Sequence, residues 1–212
     1  MSSADYYRAL PQVDLSGRHE RIWQIRTKGY DLLLARVVSP MAENRERPLK
    51  VLDVEAGNCW LSNQFARRGH DLVAVDLITN EYNGLGAYAQ YDVSFTVIRA
   101  EFDRLPVDGE QADLVIYNGA LHYSTSFQGT LGEGLRALRP GGQIVVMDSP
   151  IYRNPESGAE MVRERQARFA EQCQFQVQSI ASENFLTFDE FDRLSTALGM
   201  KWNHLKPDYG FL

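Results

Sequence analysis

The stretch VLDVEAGNCWLSNQFARRG, Val51 to Gly69, decides how the rest of the chain is read. Its first residues are apolar and β-branched, EAGNC is turn-like, and WLSNQFA has the apolar spacing of a short helix. A strand that enters a tight turn and leaves it as a helix offers unpaired backbone N–H groups to a nucleotide-like ligand. Two turn positions that invite glycine carry Glu55 and Cys59 instead. Fold and ligand therefore have to be read separately.

KVLDV, from Lys50, is followed by LVAVDL, SFTVIRA, ADLVIYNG and QIVVMDS. Continuous apolar runs of this length suit parallel strands covered on both faces, with the intervening helical segments as crossovers. The expected fold class is α/β, a doubly wound, mostly parallel sheet with helices on both faces. In TLGEGLRALRPGG, the turn Arg139 to Gly142 ends a helix and launches the fifth strand, because glycine adopts the left-handed cap at little cost.

Upstream, ERIWQIRTKGYDLLLARVV places Ile22, Ile25, Tyr30, Leu33, Leu34 and Val37 at helical spacing, predicting one or two helices before Pro40 with a break at Gly29. MAENRERP is a polar connector. Residues 1–47 are thus an N-terminal helical segment, with Tyr6, Tyr7 and Trp23 placed to form a lid, and residues 48–212 an α/β domain. Near the other end, FLTFDEFDRLSTALGM predicts a helix capped by Thr187 with Glu190 three residues later, and KWNHL predicts a sixth strand.

The 212 residues suffice for one core, and 44% apolar with 24% charged residues is an ordinary globular composition. A net charge of -6 argues against phosphate-driven nucleic-acid binding, and the basic run Arg18 to Lys28 reads as a solvated helix face. Cys59 and Cys173 lack metal-ligand spacing, so no metal is expected. No leader pattern and no apolar run of the roughly 20 residues needed to span a bilayer is present, so the expectation is a cytoplasmic protein without a membrane partner.

In an open α/β sheet, ligands sit outside the carboxyl ends of the strands. The first four strands end in Asp53, Asp76, Glu101 and Asn118. Asp76, about 20 residues past the first turn, is placed to accept from both hydroxyls of a ribose. Glu101 can accept from an exocyclic amine, and the Phe102 N–H can donate to a ring nitrogen. The pattern describes adenosine.

VLDVEAGNCWLSNQFARRG, VAVD, AEFDRLP, LVIYNGALHY and LRALRPGGQIVVMD, taken in order, resemble the class I S-adenosylmethionine-dependent methyltransferases over roughly Lys50 to Ser149. The first block is similar to that family's acidic-x-Gly-x-Gly-x-Gly loop, with Asp53 and Gly57 matching. The resemblance implies S-adenosyl-L-methionine as cofactor, held by Asp53, Glu55, Ala56, Gly57, Asp76, Leu77, Glu101, Phe102 and Asn118. It also implies a last antiparallel strand that the chain, stopping at Leu212, lacks room to complete, so the sheet is one strand short or the chain truncated. An exposed edge there would favour dimerisation; monomer and homodimer both stay open.

Glu55 and Cys59 occupy the first and third glycine positions of that loop. Glu55 can point toward the cofactor's sulfonium and ammonium, toward its carboxylate, or away to an arginine such as Arg26. Cys59 reads as a small buried hydrophobe, with a reactive thiol at a helix N-terminus as the other option. On the acceptor side His122 is the expected general base, while Tyr152 and Arg153, after the fifth strand, are placed to bind the acceptor. Neither NPPY nor DPPY follows the fourth strand, which favours a small-molecule acceptor. The expected activity is therefore methyl transfer to a small molecule. The alternative is a degenerate relative with weak or no cofactor binding, serving as a partner subunit. A dehydrogenase is disfavoured because Gly-x-Gly-x-x-Gly is missing from the first turn.

Overall fold

A computed structural model describes residues 3–43, 45–172 and 182–210. Five strands form one parallel sheet: β1 (Lys50–Val54), β2 (Asp71–Asp76), β3 (Thr96–Arg99), β4 (Ala112–Asn118) and β5 (Leu138–Met147), in the order β3-β2-β1-β4-β5. The order reverses at β1, so the crevice lies where β1 and β4 diverge. Side chains alternate between two cores, as the period of a strand requires. Val51, Leu114 and Ile116 face one, and Leu52, Val54, Val115 and Tyr117 the other.

The first core is closed by α4 (Trp60–Ala66) and the N-terminal helices, the second by α5 (Phe127–Ala137) and α7 (Phe188–Leu198). The N-terminal elements are α1 (Ser3–Ala9) and α2 (Glu20–Leu33), which runs through a π-helical turn, Leu34–Val38, into α3 (Ser39–Ala42). The predicted break at Gly29 does not occur. Gly29 lies inside α2, where a Cβ would stand 3.4 Å from Met147 Cε, so glycine there serves close packing against the end of β5. Tyr7 and Trp23 are buried in the first core, with Tyr6 packed against it. The Trp23 and Trp60 rings meet edge to face at 5.7 Å.

The Arg139–Gly142 turn appears as an irregularity at the start of β5, where two steps along β4 (Ala112 to Leu114) face five along β5 (Leu138 to Gln143). Only two of the four crossovers in the sheet, α4 and α5, are α-helical. Residues between β2 and β3 carry only a 3-10 segment, Leu85–Gln90, and no helix lies between β3 and β4. Glycine is required in the former connection: a Cβ on Gly84 would lie 2.4 Å from the Ile78 carbonyl oxygen.

Beyond β5, β6 (Ile151–Tyr152) pairs with β7 (Leu186–Thr187) as a separate two-stranded sheet, and α6 (Pro155–Gln172) lies between them in sequence. The Thr187 cap forms as predicted, its Oγ1 accepting from the Glu190 N–H at 3.2 Å. KWNHL does not form the predicted sixth strand; α7 ends at Gly199 and residues 200–210 are irregular. Cys173 lies outside the described residues. Among the described residues no helix is long and apolar enough to cross a membrane.

Candidate functional site

The loop after β1 carries three left-handed residues in five positions: Glu55 (φ 60°), Gly57 (φ 53°) and Cys59 (φ 61°). Two of them are not glycine, each costing roughly 1–2 kcal/mol in this region. The Ala56 N–H donates to the Val75 carbonyl at 3.1 Å and the Cys59 N–H to the Ala56 carbonyl at 2.9 Å. Tyr91 Oη donates to the Asn58 carbonyl at 2.8 Å, fastening the loop from the β2–β3 connection.

Asp76 ties the loop to β2. Its Oδ2 accepts from the Gly57 N–H at 2.8 Å and its Oδ1 from the Ile78 N–H at 2.7 Å. A carboxylate has about four lone-pair sites, so two are unused in a side chain that is only 3% exposed. Asp53 is sealed in the core and accepts from Ser62 Oγ at 2.6 Å, its other oxygen lacking a protein partner. Burial lifts its pKa to about 6, against the Ser62 hydrogen bond. Ser62 was not picked out from the sequence, because a serine inside a helix carries no motif signal.

Glu55 is half-buried, and burial, then the charges of Asp76 and Glu101, push its pKa up to about 7. Arg26 does not neutralise it; its Nε lies 3.5 Å from Asp148 Oδ2. Glu101 and Leu77 are exposed, flanking the ends of β3 and β2, and Phe102 packs on the second core. Cys59 is fully buried, and burial drives its thiol pKa upward, which removes the reactive-thiol option.

At the end of β4, Asn118 Oδ1 is shut off from solvent with no hydrogen-bond partner. His122 is buried in the short Leu121–Tyr123 turn, with Nδ1 3.4 Å from Ser149 Oγ. Burial, with the Arg165 charge, lowers its pKa to about 4, so the imidazole is neutral at pH 7. Tyr152 stands edge-on to Phe185 at 5.7 Å, and Arg153 is exposed beyond it. A recess of about 620 Å³ lined by Lys50, Asp71, Thr96 and Gln111 lies at the opposite, amino-terminal ends of the strands, away from these groups.

Residues 52–146 match the family described as a methyltransferase domain. An uncharacterized chloroplastic methyltransferase of Arabidopsis thaliana is 27% identical over 158 residues, covering 71% of this chain and 42% of its own. A demethylmenaquinone methyltransferase of Clavibacter sepedonicus is 28% identical over 134 residues, covering 63% and 50%. The chain thus spans about half the length of these relatives. A provisionally assigned methyltransferase from Bacillus halodurans shares the fold, with a TM-score of 0.59 at 18% identity over 78% of this chain and 68% of that one.

Proposed function

From the match of residues 52–146 to a methyltransferase domain, we propose that the chain transfers a methyl group from S-adenosylmethionine to a small-molecule acceptor. The observation that carries the reading is Asp76, which holds the first loop through Gly57 and keeps two lone-pair sites for a ribose. The cofactor supplies a methyl group on a sulfonium, an excellent leaving group; everything else falls to alignment and proton handling.

In this reading Glu101 and the Phe102 N–H take the adenine, with Leu77 beside its ring. The orphaned Asn118 Oδ1 suits an ammonium donor. Gly57 allows close approach, since a Cβ there would meet only the Asn83 carbonyl, at 3.5 Å. Ala56 and Asp53 act from beneath, the first through Val75 and the second through Ser62. Neutral His122 is the proposed base, and Tyr152 and Arg153 the proposed acceptor contacts. A relative that acts on a demethylmenaquinone, by its name, favours a small ring-bearing acceptor.

Glu55 favours a second reading, a domain whose cofactor affinity has decayed and which serves as a partner subunit. A left-handed, half-buried acid beside two further carboxylates opposes a ligand carboxylate as much as it attracts a sulfonium. Calorimetric titration with S-adenosylmethionine and with S-adenosylhomocysteine separates the two. Heat from either supports the enzyme, and silence from both leaves the partner subunit.

A further inference from the structure

Asp148 follows β5 directly and is the fourth acid of this crevice held off the ordinary backbone regions or out of water, after Asp53, Glu55 and Asp76. Its φ is 52°, left-handed for a residue with a Cβ. Its Oδ2 is closed to solvent and accepts no hydrogen bond, and the ion pair to Arg26 Nε at 3.5 Å lacks hydrogen-bond geometry. Strain and an unmet acceptor in one residue at the ligand end of a sheet mark a group held for something outside the chain.

Three elements wall it in. On the α2 side, a Cβ on Gly29 would stand 3.8 Å from Asp148 Oδ1. On the β4 side lies Gly119, where a Cβ would be 3.9 Å from Asp148 Cβ. The third wall is the segment ending at Gly210, tied down by Lys28 Nζ donating to the Asp208 carbonyl at 3.0 Å. Burial raises the pKa of the Tyr209 phenol in that segment, and the Asp148 charge adds to it. Tyr209 also lines a groove of about 370 Å³ together with Arg21, Ile25 and Gly210.

We propose that Asp148, flanked by Arg26 and Tyr209, is an acceptor-binding subsite whose partly exposed carboxylate takes a neutral hydroxyl donor. Charge selects the class. An ammonium group would approach Arg26 as well as Asp148, and a carboxylate would be repelled by Asp148, whereas a phenol-type hydroxyl donates to the carboxylate and adds no charge. Neither Asp148 nor Tyr209 stands out in the sequence as a binding residue. The inference rests on the methyltransferase reading, which makes the β4–β5 end of the crevice the acceptor side.

The test uses benzene-1,4-diol and its dimethyl ether, which has no O–H, titrated into the full chain and into Asp148→Gly and Asp148→Asn. S-adenosylmethionine affinity and thermal melting are measured in parallel. Glycine accepts the left-handed backbone, so Asp148→Gly removes the carboxylate without straining the fold. The diol is expected to bind the wild type at least tenfold more tightly than the ether. Asp148→Gly is expected to lose at least tenfold for the diol, with cofactor affinity changed less than twofold, and Asp148→Asn to fall between. Equal binding of diol and ether, undiminished binding by Asp148→Gly, or no diol binding by the wild type overturns the subsite. A wild type that binds the diol but no cofactor keeps the subsite and removes the methyltransferase reading.

Discussion

The Gly57 N–H donates to Asp76 Oδ2 at 2.8 Å, so the loop after β1 and the end of β2 are held together before any ligand arrives. Asp76 is therefore both a proposed ribose acceptor and a structural tie. Asp76→Ala should weaken S-adenosylmethionine binding at least tenfold. By stranding the Gly57 and Ile78 N–H groups, it should also lower stability by about 1–3 kcal/mol. Calorimetry for binding and denaturant unfolding for stability give the two numbers. Unchanged affinity in a folded variant would remove Asp76 from the site.

Glu55→Gly tests the loop itself. Relief of the left-handed strain contributes about 1–2 kcal/mol, and the freer unfolded chain takes back about 0.4–1 kcal/mol, for a net gain near 1 kcal/mol in urea unfolding. Cofactor binding should tighten if Glu55 opposes the ligand carboxylate and weaken if it holds the sulfonium. We expect tightening, because glycine at this left-handed position relieves the backbone strain and lets the loop approach the ligand more closely.

The pH dependence of stability isolates the same residue. Glu55 rises from 4.5 to about 7 and Asp53 from 3.8 to about 6 on folding, so their contributions are full below the unfolded values and fade as pH rises through the folded ones. His122 falls from 6.5 to about 4, so its contribution is full above 6.5 and is lost as pH drops toward 4. The melting-temperature advantage of Glu55→Gln over wild type should be largest at pH 8 and shrink toward pH 5. A constant difference across that range would show that Glu55 does not titrate in it.

A control lies far from the crevice. Asp113, fully buried at the start of β4, accepts from Arg45, Arg47 and the Lys50 N–H, with Arg139 at 3.2 Å. Asp113→Ala should cost about 3 kcal/mol, the low end for a broken buried pair, because the arginines are partly exposed and can reach water. Equilibrium unfolding measures the loss. Cofactor affinity of the folded fraction should not move.

Strand positions were legible because β1, β2 and β4 are buried on both faces and read as unbroken apolar runs. The capped helix α7 was legible because its cap is local chemistry between Thr187 and Glu190. KWNHL misled because Trp202 packs edge to face on Phe191 at 4.8 Å, burial that needs no ladder. Gly29 misled because a glycine that ends a helix and one that admits a neighbouring strand look alike in sequence. Asp53, Asp76 and Asn118 stood out as polar punctuation after apolar runs. Asp148 was not picked out, because the left-handed backbone and the unmet oxygen that set it apart are properties of the folded chain.

Arg26 carries one more consequence. Its guanidinium lies 4.7 Å from the centre of the Trp23 ring while its Nε faces Asp148, and Trp23 in turn abuts Trp60. A cation over an indole shifts and quenches its emission, and two indoles in edge-to-face contact give an exciton couplet in the far ultraviolet. A ligand that engages Asp148 is expected to shift that cation, so the intrinsic fluorescence and circular dichroism of the unlabelled protein should report its binding.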